Sequence, residues 1–311
     1  MVQAAPFGSQ YIDPPAGCEF QTMAKDGIYL NDMPRSVPKL ILVPGQRADV
    51  AVRCTNVGSQ PVKALWWMGD FGGSATNGNT YHIDVMQLNI VSSTSLPVSL
   101  PPLPLGFRRP CYIADLTTQV IQAGNSFELE FAFTNGSGKV NGMPWHNETT
   151  YVHTTSLGTV QEVVDKTTGN HPYHQHVNPF QIASIDAEPI GIEEYDMANR
   201  AWYKVGDWHD TIMYPVNNTD PTVKLRYAAD QFSGHMIFHC HLLSHEDQGM
   251  MAQYDLVGEE GTLWDGARAV DPTCILPFEF TPSPTPNPTS MPSKAGKQGK
   301  QTKQTKAPKR V

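Results

Sequence analysis

His235-Met-Ile-Phe-His-Cys-His-Leu-Leu-Ser-His-Glu-Asp-Gln-Gly-Met-Met251 is the stretch on which the reading of this chain turns. Cys240 lies between His239 and His241, with His245 five residues further on and Met250 ten further on. Thiolate, imidazole and thioether form a soft donor set that selects copper, and two His with one Cys and a weak axial Met make an electron-transfer centre. If Met236–His241 is extended, successive side chains alternate between faces. Cys240 then points one way, while His239 and His241 point the other.

A second stretch, His171-Pro-Tyr-His-Gln-His176, repeats the argument. His174 and His176 share a face if extended, and His171 falls on the opposite one. Two ligand sets follow. His171, Cys240, His245 and Met250 complete a mononuclear copper site. His174, His176, His239 and His241 are four imidazoles converging on something that needs more than one metal. Structural zinc is the commoner fate of Cys/His clusters, but it favours paired CxxC spacings, which the chain lacks.

HPYHQH followed by HCHLLSHEDQGMM resembles the last domain of a multicopper oxidase, and is particularly similar to the laccase and bilirubin oxidase branch. The resemblance implies roles position by position. His171, Cys240, His245 and Met250 match type 1 copper ligands, which accept electrons from a substrate. His174 matches a type 2 ligand, and His176, His239 and His241 match type 3 ligands. Glu246 matches a carboxylate that helps protonate reduced oxygen, a task suited to an acid beside the oxygen site. The partners so implied are a small-molecule electron donor and O2. Met250 as axial ligand implies a lower potential than an apolar residue would give.

Outward from these motifs, the chain reads as short strands separated by turns. Lys39–Arg53 is an apolar strand, a Pro-Gly turn and an alternating strand, and Tyr81–Val91 alternates again. Ser126–Phe133, Gly158–Val164, Pro179–Ile185, Trp208–Met213, Thr222–Tyr227 and Ala252–Val257 are further strand candidates. The expected fold is all-β, with cupredoxin-like Greek-key sandwiches, one partial and one complete. Residues 1–93 are expected to form part of a middle cupredoxin domain, 94–112 a proline-rich linker, and 113–258 a C-terminal copper-binding domain. Residues 259–311 form an extension, with a disordered basic tail from about 281.

That tail, residues 281–311, holds seven Lys/Arg and no acid, whereas the preceding 280 residues carry a formal charge of −15. An acidic body argues against nucleic acid as the main partner. No run of 18 apolar residues suggests a membrane span, and the first residues have neither the basic nor the apolar region of a secretory signal. Cys18, Cys54, Cys111 and Cys274 remain once Cys240 is given to metal, so Cys18–Cys54 and Cys111–Cys274 are conceivable disulfides among other pairings. Sequons at Asn135, Asn147 and Asn217, with the family resemblance, suggest an extracellular protein. His82, His146, His153, His209 and His235 fall outside the motifs and are read as surface or core residues.

The family pattern takes half of its cluster ligands from two further His-x-His motifs, and only HQH and HCH occur here. Four imidazoles do not hold three coppers with positions open for oxygen. The chain is therefore expected to be the C-terminal portion of a longer oxidase, a shortened gene model, or one that relies on another chain. An oxidase, or a copper-binding electron-transfer module without O2 reduction, are the two functions open to it.

Overall fold

Alternation of apolar and polar residues gives strands buried on one face, and such strands are stable only when a second layer covers that face. In a computed structural model describing residues 1–6, 8–67, 80–93, 110, 113–146, 151–167, 171–186, 193–214 and 222–270, this is the arrangement found. Nearly all of the expected linker, Cys111, Cys274, Asn147, Asn217 and the basic tail lie outside the described residues.

In the N-terminal part, Leu40–Leu42, Ser9–Asp13, Gly58–Trp67 and Thr80–Ile90 form one four-stranded sheet in that order. In the second sheet, Cys18–Lys25 pairs with Ile28–Tyr29, Arg35–Val37 and Ala48–Cys54. The expected turn at Pro44-Gly45 separates Leu40–Leu42 from Ala48–Cys54. One of the conceivable disulfides, Cys18–Cys54, is formed and joins directly opposed residues of two strands.

From Ser126 onward, two five-stranded sheets face each other. One runs Tyr151–Ser156, Met251–Val257, Gly234–Cys240, Tyr173–Gln175 and Thr211–Ile212. The other runs Trp208–His209, Phe180–Asp186, Thr222–Ala229, Thr159–Asp165 and Ser126–Leu129. Between them Phe238 stacks on Tyr254 with ring centroids 4.4 Å apart, and Tyr173, Phe180 and Leu225 are fully buried beside them. Burying side chains of this size contributes roughly 1.5–3 kcal/mol each.

Three features depart from the sequence reading. Trp208–Met213 is split, Trp208–His209 pairing with Phe180–Asp186 in one sheet and Thr211–Ile212 with Tyr173–Gln175 in the other. Ser126–Phe133 is not one strand. Ser126–Leu129 runs parallel to Thr159–Asp165, while Phe131–Thr134 turns back through Asn135-Gly136 to pair with Ser137–Val140. The break falls at Glu130, whose N–H donates to Asn141 Oδ1 at 2.8 Å and whose carbonyl accepts from Asn141 N at 2.9 Å. A helix, Glu193–Trp202, also stands where no strand or helix was expected, and it buries Ala198 and Trp202.

Asp230 follows the strand Thr222–Ala229 and is buried. Its Oδ1 accepts a long 3.4 Å bond from Asn178, and its Oδ2 has no hydrogen-bond partner. Burial pushes its pKa up from 3.8 to about 7. Between these values the folded chain keeps a proton that the unfolded chain has lost. The stability this provides is complete below pH 3.8 and is lost as pH rises through about 7. Asp230→Asn is expected to melt above the parent protein at pH 8, by about 1–3 kcal/mol for relief of a buried unpaired charge. At pH 4 the two melting curves should converge.

Candidate metal centres

The strand Gly234–Cys240 pairs antiparallel with Tyr173–Gln175, setting His174 opposite His239 and Tyr173 opposite Cys240. This register brings the two histidine-rich stretches side by side, and pleating sorts their side chains between two pockets.

On one side stands the sulfur. Cys240 Sγ lies 3.7 Å from His171 Nδ1 and 3.9 Å from His245 Nδ1, and the two nitrogens are 3.1 Å apart. Donor separations of this size suit ligands sharing one ion at bond lengths of about 2.0–2.3 Å. Cys240 and Met250 are fully buried, and Cys240 N donates to the Met250 carbonyl at 3.1 Å. Phe133, 36 % exposed, stacks on His245 with centroids 4.5 Å apart. Burial, reinforced by His245, pulls His171 down to about 4, so its imidazole is neutral near pH 7 and free to ligate. Burial pushes the Cys240 thiol well up, so an ion entering this pocket must displace a proton.

On the other side are nitrogens only. Ligand atoms of His174, His176 and His239 all lie within 4.8 Å of one another. His176 Nε2 is 3.3 Å from His239 Nε2, while His239 Nδ1 faces the Cys240 carbonyl at 3.1 Å. The His241 ring stands 5.2 Å from that of His174 and 5.4 Å from that of His239. Its Nδ1 is buried with no hydrogen-bond partner, an orphaned atom that a metal would satisfy. Burial pulls His174 down to about 4 against the opposing charge of Asp210, and His239 to about 4 against its bond to Cys240. His176 is also lowered, chiefly by burial. A cluster of neutral, converging imidazoles fits a transition metal and suits no carboxylate-loving ion. Chain direction helps: immediately after His176, Val177 turns the backbone at φ +64°, a strained value for a β-branched residue.

Glu246 is carried by the short helix Leu243–Glu246. Its Oε2 lies 3.3 Å from His239 Nδ1. Burial, with Asp247 adding and His241 opposing, raises its pKa above the usual carboxylate value.

Seven of the eight predicted donors therefore stand in one or other of the two pockets, Met250 is buried and joined to Cys240 through the backbone, and Glu246 lies beside His239. The unassigned histidines have other partners or positions. His209 is buried against Asp26 at 3.1 Å, His235 meets the Tyr151 hydroxyl at 2.8 Å, and His153 meets Gln161 at 3.2 Å. His82 and His146 are exposed. Sequence reasoning missed the groups around the ligands. His174 Nδ1 donates to the Asp210 carbonyl at 3.0 Å and to Thr211 Oγ1 at 2.9 Å, which leaves Nε2 as its ligand atom. Trp208–Met213 had been legible only as a strand.

Known proteins share parts of this sequence and this fold. A family model described as "Multicopper oxidase" matches residues 115–258. A laccase of Bacillus subtilis (strain 168) is 26 % identical over 261 residues, covering 77 % of this chain and 47 % of the laccase. The multicopper oxidase LPR2 of Arabidopsis thaliana is 24 % identical over 275 residues, covering 78 % of this chain and 46 % of that protein. The chain thus spans about half the length of these relatives. Among solved structures, a multicopper oxidase of Campylobacter jejuni described as a metallo-oxidase superposes with TM-score 0.60 at 18 % identity, covering 82 % of this chain and 52 % of that one. McoA of Aquifex aeolicus gives 0.57 at 19 %, covering 81 % and 52 %. These superpositions establish the cupredoxin-like β-sandwich fold. Residues 115–258 thus match the multicopper oxidase family, whose members bind copper.

Proposed function

We propose that this chain provides the electron-accepting pocket, and one half of the oxygen-reducing pocket, of a copper oxidase that withdraws single electrons from a small donor and uses O2 as final acceptor. The reading is supported by one observation above all. Cys240 reaches His171 and His245 on one side of a strand, and its covalent neighbours His239 and His241 meet His174 on the other. Copper supplies the one-electron redox chemistry when bound.

In this reading His171, Cys240, His245 and Met250 hold type 1 copper. His174 serves type 2 copper, and His176, His239 and His241 serve the type 3 pair. Residues 113–258 act as the C-terminal copper-binding domain and residues 1–93 as part of the middle one. Phe133 covers one ring face of His245 and so shapes the approach of the donor. Backbone bonds from Cys240 to its two histidine neighbours give the shortest covalent link between the pockets.

Reduction of O2 to water consumes protons. The Glu246 carboxyl, raised in pKa and beside His239, is the group that holds one at Oε2 and passes it inward. In an oxidase completed by a polypeptide with two further His-x-His segments, Glu246→Gln is expected to slow oxygen consumption by about 10²-fold or more, the range for a lost general acid, while leaving donor oxidation at the Cys240 pocket unchanged. Stopped-flow reduction by the donor, run beside oxygen uptake, separates the two. Equal slowing of both would remove the proton-donor role.

Four imidazoles in the nitrogen-only pocket favour a second reading, an electron-accepting module that reduces no oxygen by itself. Copper per chain and oxygen uptake decide between them. Oxygen consumption on adding a polypeptide with two further His-x-His segments is expected for the oxidase. An intensely blue protein with near one copper per chain and no uptake under any such addition supports the module.

A further inference from the structure

Two of the four imidazoles in the nitrogen-only pocket are held from the far end of the chain. Gly45 lies in the turn after Leu40–Leu42 at φ +86°, where a Cβ would stand 2.4 Å from Cδ2 and 2.6 Å from Nε2 of His241. A residue with a side chain could adopt neither that backbone nor that approach without moving the ring. Because His241 Nδ1 makes no hydrogen bond, packing against this turn is what limits the ring on that side.

Two residues on, Arg47 grips Asp210 with both ends of its guanidinium. Nη1 donates to Oδ1 and Nη2 to Oδ2, each at 2.6 Å, and Nη1 also donates to the Gly45 carbonyl at 3.1 Å. Asp210 Oδ1 in turn accepts the Thr211 hydroxyl at 2.8 Å, so that Thr211 Oγ1 is left to accept from His174 Nδ1. Between Gly45 and Arg47, Gln46 Nε2 donates to the Thr211 carbonyl at 2.9 Å. Asp26 closes the arrangement, accepting from Arg47 N at 3.0 Å and Asp210 N at 3.4 Å. Arg47 is 36 % exposed, and an ion pair that wet contributes little to stability. What a bidentate fork does provide is orientation, and lysine cannot reproduce it.

We propose that the Gly45–Arg47 turn is a positioning device for the nitrogen-only pocket: Gly45 seats the His241 ring, and Arg47, acting through Asp210 and Thr211, fixes the tautomer and direction of His174. The inference rests on reading that pocket as a metal site. Outer-shell partners of metal-binding histidines commonly set affinity in this way, with changes of 10–100-fold on their removal.

The test uses the full chain and two measurements. Imidazole ¹⁵N NMR on metal-free protein reads the His174 tautomer, and Cu(I) titration against a chromophoric chelator reads affinity at each pocket. Arg47→Ala is expected to turn a single Nδ1–H tautomer of His174 into a mixture. It should also weaken Cu(I) at the nitrogen-only pocket about 10–100-fold, leaving the Cys240 pocket unchanged. Arg47→Lys should lose most of the same affinity, and Arg47→Ala should add nothing further in an Asp210→Asn background. Gly45→Ala should shift the His241 signals and not those of His171. The proposal is overturned if His174 keeps one tautomer and full affinity in Arg47→Ala, if both pockets weaken equally, or if Arg47 and Asp210 act additively. A parent protein that binds no Cu(I) at the nitrogen-only pocket, yet shows the tautomer change, upholds the positioning and defeats the metal reading.

Discussion

Asp207→Ala is expected to lower folding stability by about 3–5 kcal/mol, the range for stranding a buried charge by removing its partner. Asp207 is buried and accepts from Arg35 Nη1 at 2.6 Å, Arg35 Nη2 at 2.7 Å and Lys25 Nζ at 3.0 Å. Lys25 and Arg35 come from N-terminal strands and are themselves 1 % and 6 % exposed. Lys25 also donates to the Trp202 carbonyl. Without the carboxylate, buried Lys25 is left with the Trp202 carbonyl, and Arg35 with Asp32 at the surface. For a domain of this size, 1 kcal/mol moves the melting temperature by about 2–4 °C, so a fall on the order of 10 °C should be seen by calorimetry.

The same network sets a pH dependence. Burial alone would raise the Asp207 carboxyl, but bonds from Arg35 and the charge of Lys25 hold it below its ordinary 3.8. A folded-state value so depressed gives stability that is present above pH 3.8 and lost as pH falls below it. Burial draws Lys25 down from 10.5 to about 8, with Asp207 opposing. In the variant that opposition is gone and the amine falls further. The penalty of the substitution should therefore shrink as pH rises toward about 8 and level off above it, where Lys25 gives up its proton in the parent protein as well. A penalty constant from pH 6 to pH 9 would mean that Lys25 does not feel Asp207.

Cys240→Ser is expected to abolish the blue chromophore and to weaken copper binding at that pocket by more than the roughly 10–100-fold that follows loss of an outer-shell partner. Serine is close to cysteine in size, so the fully buried site should remain folded. A hydroxyl is a hard donor, however, and the selectivity of this pocket for copper rests on soft sulfur. Absorption spectroscopy and metal analysis on the copper-loaded variant give both quantities. Retention of colour and copper together would assign the metal to other ligands.

Much of this was legible in the sequence because period-two alternation is a strong constraint. Given that His171–His176 and His235–His241 are extended, the sorting of Cys240 from His239 and His241 follows from the pleat alone. Pro44-Gly45 announced its turn for a similarly local reason. Legibility failed where the deciding contact was distant or where the pattern ran through a break. Ser126–Phe133 alternates without interruption, yet Asn141 captures Glu130 and the chain changes sheets there. Glu193–Trp202 carries Tyr195, Ala198 and Trp202 at helical spacing, a period that a reading in alternating strands passes over. Arg47 and Asp210 are separated by 163 residues, so neither announces the other.

The central claim is that one sulfur and two imidazole nitrogens, brought together by two extended segments, form a copper pocket separate from the nitrogen-only one. X-ray absorption at the copper edge, on the chain loaded with a single equivalent, tests it most directly. The account predicts one short copper–sulfur distance together with two nitrogen neighbours, the sulfur signal vanishing in Cys240→Ser. A first shell of nitrogen and oxygen alone would contradict it.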